Sequence, residues 1–277
     1  MRITGSTKLY AILGRPVHHS ASPDLYNAWF AHHSVDARYG ALDVPPAKSE
    51  QVPDALRTLG LAGVNLTVPL KEAVLPHLDE LALSARRAGA VNVVIREGDR
   101  LVGHNTDGSG LVSHLCSLGF DRLRHAVVLG AGGAGRAAVS ALLAAGLPAV
   151  FLLNRTLARA EAVAADLGDR VHPRPLTPAA FAAVAPEAGL VIQATSGAGR
   201  DRVEALDIRT LPSGCLWSDL NYWDARAPHR AALRAAGCRF DDGWGMLVAQ
   251  AAESFCLFTG ISLSLPQAHA LLPARTP

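Results

Sequence analysis

Apolar and polar positions along this chain repeat at two periods, near two and near 3.6 residues, and the switches between them mark out its elements. LYAILG (9–14) reads as a strand. SPDLYNAWFAHH reads as a helix opened by Ser22, with Pro23 in the first turn, where its missing N–H costs nothing. An extended ARYGALDV follows, then a short helix around PDALRTLG. GVNLTVP (63–69) is patterned as a buried strand, with a short helix from Leu70. VNVVIREGDRLVG (91–103) alternates around Glu97-Gly98-Asp99, the pattern of a hairpin. Strands alternating with helices predict an α/β domain.

A second series begins near residue 105. DGSGLVSHLCSLG (107–119) is a helix pattern closed by Gly119, and HAVVLG (125–130) is a strand running into GAGGAGR and a helix rich in Ala and Leu. AVFLLN (149–154) is the next strand, LARAEAVAADLG a helix ended by Gly168, and GLVIQATS and CLWSDL are further strands. Repeated strand–helix–strand units predict a parallel sheet with right-handed crossovers. Beyond Gly243 the chain turns helical (MLVAQAAESFCLFTG), with a last short helix near LPQAHALL.

Composition narrows the function. A chain of 277 residues with 49% hydrophobic and 18% charged residues has room for two well-cored domains. A net charge of +2 without any Lys/Arg run gives no reason to expect a nucleic-acid partner. No apolar stretch is long enough to span a bilayer, and MRITGSTKLYAILG lacks the apolar core and cleavage site of a signal peptide, so no membrane partner is expected. Cys116, Cys215, Cys238 and Cys256 are scattered without a CxxC pair, as reduced thiols of a cytoplasmic protein would be. His18-His19 and His32-His33 are neighbours whose side chains point apart, so no metal site is expected.

The strongest motif is Gly130-Ala131-Gly132-Gly133-Ala134-Gly135, a G-x-G-x-x-G between a strand and a helix. The first glycine permits the tight turn, the second lets backbone approach a pyrophosphate, and the third lets helix and strand pack closely. Free amides at the helix N-terminus then hold phosphate. NAD sites place an acid at the end of the next strand; here stand Asn154-Arg155-Thr156, with Arg159 one turn beyond Arg155. Two guanidiniums at i and i+4 share a face and suit the extra phosphate of NADP. The bland alternative is two surface arginines with Thr156 capping the helix.

HSASP (19–23), GVNLTVPLKE (63–72), GAVN (89–92), NTDG (105–108), GAGGAG (130–135), NRTLARAE (154–161) and GMLVAQA (245–251) together resemble the shikimate dehydrogenase family over nearly the whole chain. The resemblance implies an N-terminal α/β substrate-binding domain (1–105), a Rossmann-like NADP-binding domain with a parallel sheet (106–242), and C-terminal helices (243–277) returning to the first domain. It implies reduction of 3-dehydroshikimate to shikimate with NADPH, on the route to aromatic amino acids, by a cytoplasmic monomer or homodimer. By resemblance Lys71 and Asp107 are the catalytic pair, and the chemistry fits: reducing a ketone leaves an alkoxide that a positioned ammonium can protonate. Ser20 and Ser22 match the residues that receive the substrate carboxylate, with Tyr222 near it. Asn65, Thr67, Asn92 and Gln250 match those that hold its hydroxyls, and Thr195, Leu220 and Gly243 match cofactor positions.

Each residue also has an ordinary reading: Ser22 as an N-cap, Lys71 as a solvated lysine, Asp107 as a helix cap. The chain departs from the family at Gln193, where Asn is usual, and after Tyr222, where a proline is missing and Ala227 replaces Thr. These departures keep quinate/shikimate and aminoshikimate-type dehydrogenases in view, although the Ser20-x-Ser22 pair resembles the shikimate-preferring form. Glutamyl-tRNA reductase, which shares an NRT-like stretch, needs an N-terminal nucleophilic cysteine, and the first cysteine here is Cys116. A non-catalytic NADP(H) sensor would have no use for Lys71 and Asp107.

Overall fold

The computed structural model describes residues 3–120, 122–195, 200–222 and 229–272. They fall into two units, Met1–Gly110 with Val248–Pro277, and Leu111–Leu247. The first unit runs β1 (Lys8–Gly14), α1 (Ser22–His32), β2 (Ala37–Asp43), α2 (Val52–Leu59), β3 (Gly63–Leu66), α3 (Leu70–Ala73), β4 (Glu80–Leu81), α4 (Leu83–Ala88), β5 (Val93–Glu97) and β6 (Arg100–His104). The chain passes into the second unit within α5 (Asp107–Ser117).

The first sheet has the order β2-β1-β3-β5-β6-β4. β1 pairs parallel with β2 and β3, whereas β3, β5 and β6 are antiparallel. The predicted hairpin is β5–β6, closed by Gly98 and Asp99 with Glu97 opposite Arg100. Gly98 has φ +64, a conformation that its lack of a Cβ permits. Alternation along β1 sends Ala11 and Leu13 into an aliphatic cluster with Leu56, Val64 and Leu66. Tyr10, on the other face, packs on Phe30 and Phe258.

The second unit continues β7 (Ala126–Leu129), α6 (Gly133–Ala144), β8 (Val150–Asn154), α7 (Leu157–Leu167), β9 (Val171–Pro175), α8 (Pro178–Ala182), β10 (Leu190–Gln193), α9 (Arg200–Glu204), β11 (Leu216–Asp219), α10 (Arg230–Ala235) and β12 (Arg239–Asp241). The chain returns to the first unit within α11 (Trp244–Thr259) and closes with α12 (Leu265–Ala270). The sheet is parallel in the order β12-β11-β10-β7-β8-β9. Its inner strands β7, β8 and β10 are apolar at nearly every position because both faces are covered. Ala126 and Val128 enter one core cluster and Val127 and Leu129 the other; Val150 and Leu152 are likewise split from Leu153. Each fully buried Val or Leu contributes about 1.5–3 kcal/mol. β9 was missed in the sequence because Pro173 and Pro175 interrupt it, which an edge strand tolerates.

Two caps expected from the sequence are absent. The N-cap of α1 is Ala21, and Ser22, the first helical residue, is buried. Thr156 does occupy the N-cap position of α7, but its side chain makes no capping hydrogen bond.

Candidate active site and nucleotide cleft

In the second sheet, strand order reverses between β7 and β10, and ligands of such sheets bind at the carboxyl ends of the strands at that point. Gly130 leaves β7 there with φ +109. A Cβ on Gly135 would stand 1.9 Å from the Gly130 carbonyl oxygen, whereas one on Gly132 would meet nothing within 4 Å. The third glycine therefore serves packing, and the second leaves open space for a ligand against the backbone. A cleft of about 240 Å³ opens beside them, lined by Gly130, Ala131, Gly132, Asn154, Arg155, Thr156, Arg159, Leu176, Ala194 and Thr195.

Asn154 shapes this cleft: its Oδ1 accepts from the Ala131 amide at 3.0 Å, and its Nδ2 donates to the Thr156 carbonyl at 2.9 Å. The glycine turn and the arginine loop are thus tied through one side chain. Gln193 does the same for Thr195, accepting from its amide at 2.7 Å and its hydroxyl at 2.9 Å. Gly133, Ala134, Gly135, Leu220 and Gly243 do not line the cleft. Gly243 has φ +73, and a Cβ there would stand 2.3 Å from the Asp219 carbonyl oxygen, so it serves backbone packing behind β11. Leu176 and Ala194 are lining residues missed in the sequence; Ala194 follows a strand at the reversal point, a signal that could have found it.

In the first unit, Lys71 Nζ donates to Asp107 Oδ2 at 2.7 Å, with the two side chains only 17% and 7% exposed. α3 brings Lys71 off the end of β3, and the Lys71 carbonyl accepts from the Val91 amide at 2.8 Å. Asn92 Nδ2 donates to the other carboxylate oxygen, Asp107 Oδ1, at 2.9 Å, and lies 3.3 Å from Gln250 Oε1. Gly110 allows Gln250 this close, for a Cβ at Gly110 would lie 2.6 Å from the Gln250 backbone nitrogen. Asn65, also buried, donates to the Asn92 carbonyl at 3.1 Å. Lys71, Asp107, Asn92, Gln250 and Asn65 thus form one connected group, and Lys71 is a largely buried, paired lysine, not a solvated one.

The Ser22 amide donates to Ser20 Oγ at 3.3 Å where the loop from β1 enters α1. Thr67 follows β3, packed so close to Gly14 that a Cβ there would lie 2.3 Å from its methyl group. Tyr222 belongs to the second unit, its ring 6.1 Å from that of Trp244. Ala227 lies outside the described residues. All four cysteines are free, and burial pushes the Cys215 thiol up to about 12, which removes it as a nucleophile at neutral pH. Among the described residues, no cluster of three or more His, Cys, Asp or Glu is placed to hold a metal. No described helix is long and apolar enough to cross a membrane.

Residues 12–94 match the family model described as the shikimate dehydrogenase substrate binding domain, and residues 115–212 match that of shikimate / quinate 5-dehydrogenase. The shikimate dehydrogenase (NADP(+)) of Symbiobacterium thermophilum is 42% identical over 258 residues, spanning 90% of this chain and 87% of the relative. The chain belongs to the shikimate dehydrogenase family. The enzyme of the same name from Rhodospirillum rubrum is also 42% identical, over 94% of each chain. A crystal structure of shikimate 5-dehydrogenase from Thermus thermophilus, in complex with NADP(H) and shikimate, superposes with a TM-score of 0.80 at 36% identity, covering 95% of this chain and 98% of that one. The family's two-domain α/β architecture accords with the two sheets described here.

Proposed function

We propose that the chain is an NADP-dependent shikimate dehydrogenase that interconverts 3-dehydroshikimate and shikimate, a step toward the aromatic amino acids. The observation that carries this reading is the buried Lys71–Asp107 pair, held by Asn92 beside Gln250 and Asn65. A ring bearing a carboxylate and several hydroxyls needs such a set of short polar groups. Ser20 and Ser22 receive the carboxylate; Asn65, Thr67, Asn92 and Gln250 hold the hydroxyls. The open space at Gly132 and the Arg155 and Arg159 guanidiniums suit the pyrophosphate and 2′-phosphate of NADP.

When bound, the nicotinamide supplies or takes the hydride. Lys71 handles the accompanying proton at the reacting oxygen, donating it as the ketone is reduced and accepting it as the alcohol is oxidised. Asp107 holds the Lys71 amine in position through a charge-assisted hydrogen bond and accepts one from a substrate hydroxyl. Four cysteines scattered along the chain without a CxxC pair support a reducing, cytoplasmic setting.

The test is absorbance at the NADPH band on mixing protein and NADP⁺ with shikimate, with quinate and with NAD⁺ as parallel arms. Growth of the band with shikimate and NADP⁺, and much less in the other arms, is expected. A faster rate with quinate would move the chain to the quinate branch, and no change in any arm would overturn the reading.

A further inference from the structure

Behind the Lys71–Asp107 pair runs a chain of hydroxyls whose direction is fixed by groups that can only donate or only accept. The Thr106 backbone N–H donates to Asn92 Oδ1 at 2.8 Å, so the Asn92 amide has one possible orientation, with Nδ2 toward Asp107. Asn92 Nδ2 donates its second hydrogen to Thr106 Oγ1 at 3.0 Å. Ser254 Oγ donates to the Gln250 carbonyl at 2.9 Å, a bond back to residue i−4 of its own helix. With that hydrogen committed, the 3.0 Å contact between the two hydroxyls is donated by Thr106 and accepted by Ser254. The alternative partner for both Asn92 and Thr106, Gln250 Oε1, lies farther off at 3.3 and 3.4 Å.

The same logic fixes Asn65. Its Nδ2 faces the Asn92 carbonyl at 3.1 Å, which only accepts, so its Oδ1 faces Tyr39 and accepts from that hydroxyl at 2.7 Å. Tyr39 is buried on β2 and stacks on Tyr26 with ring centroids 4.2 Å apart, so its own position is fixed by packing.

We propose that Thr106 and Ser254 are positioning residues: their hydroxyls form a one-way relay from Asn92 to α11 that aims the Asn92 amide at Asp107, and so sets the carboxylate that holds Lys71. Tyr39 aims Asn65 in the same way. The proposal rests on the dehydrogenase reading above. The three hydroxyls bond Asn92, one another and Asn65, and each residue has an apolar isostere or near-isostere that would fill its space equally well.

Thr106→Val keeps the shape and the backbone N–H and removes only the hydroxyl. It should lower kcat for shikimate oxidation about tenfold, the effect of one buried hydrogen bond, with KM for NADP⁺ unchanged. Thr106→Ser restores the hydroxyl and should restore kcat. Ser254→Ala should act in the same direction, and the double variant should be little worse than Thr106→Val, because both cut one chain. Tyr39→Phe should raise KM for shikimate and leave KM for NADP⁺ alone. In the ligand-free protein, hydrogen exchange of the Asn92 side-chain amide, followed by NMR, should speed up in Thr106→Val and not in Thr106→Ser. Wild-type kcat in a folded Thr106→Val, a Ser variant that fails to rescue, or unchanged Asn92 exchange would overturn the relay. If Thr106→Val does not fold, Ser254→Ala carries the same readouts from the other end. The exchange measurement needs no substrate, so it decides the relay even if the wild type proved inactive on shikimate, a result that would instead overturn the functional reading.

Discussion

Gly135 touches Gly130 backbone to backbone: a Cβ added to Gly135 would lie 1.9 Å from the Gly130 carbonyl oxygen, and no side chain can move to relieve that. Gly132, three residues earlier at the N-cap of α6, faces open space. Alanine at the two positions should therefore give different defects. Gly135→Ala forces α6 away from β7 and should destabilise the fold by about 1–3 kcal/mol, seen as a lower Tm. Gly132→Ala should leave Tm where it is and raise KM for NADP⁺, because its methyl group occupies the space a pyrophosphate needs. Equal Tm losses in both would show that the whole loop serves packing.

Arg155 and Arg159 line the cleft together with Asn154 and Thr156. Replacing both arginines with Ala should raise KM for NADP⁺ strongly and leave the poor activity with NAD⁺ nearly unchanged. Charge-assisted contacts of this kind contribute roughly 1.5–3 kcal/mol each. Parallel losses with the two cofactors would mean that these arginines do not read the 2′-phosphate.

The parallel sheet was legible because four-residue apolar runs such as AVVL and VFLL leave no polar face, and the glycine motif because each glycine has a distinct backbone duty. Short elements carried less signal: β4 has two residues, and β9 is broken by prolines. Caps carry less signal: the sequence places Ser22 at the start of α1 but does not show that the residue is buried there. Thr106 and Tyr39 lay inside the NTDG and ARYGALDV stretches without a role of their own, and Ser254 lay inside a helix pattern. They meet Asn92 and Asn65 through contacts between distant parts of the chain, and no local periodicity encodes such contacts.

Asp79 ties three elements together by accepting from the Leu101 amide at 2.7 Å and from Arg57 at 2.6 Å. The Leu101 bond first, and Arg57 next, hold its carboxyl below the ordinary value of 3.8. A carboxyl depressed in the folded state adds stability above its unfolded value and loses it as pH falls through the folded one. Tm should therefore drop as pH is lowered below about 4, and Asp79→Asn should show a shallower drop over the same range. Identical slopes for the two proteins would show that Asp79 is not linked to the acid transition.

The sharpest expectation concerns Lys71, whose ammonium meets Asp107 Oδ2 at 2.7 Å while Asn92 holds Oδ1 at 2.9 Å. If Lys71 moves the proton, Lys71→Ala should cut kcat by roughly 10²–10⁴-fold, the usual effect of a positioned acid–base group. KM for shikimate should change far less, since the interaction lost belongs mainly to the transition state. Asp107→Asn keeps the size and one acceptor but removes the charge that orients the amine, so it should also slow kcat. Because the two residues act through one contact, the double variant should fall well short of the product of the single effects. Steady-state kinetics in the oxidative direction, with Tm recorded for each variant, makes the comparison. A folded Lys71→Ala protein turning over shikimate within a few-fold of wild type would remove Lys71 from the chemistry and leave the pair a structural contact.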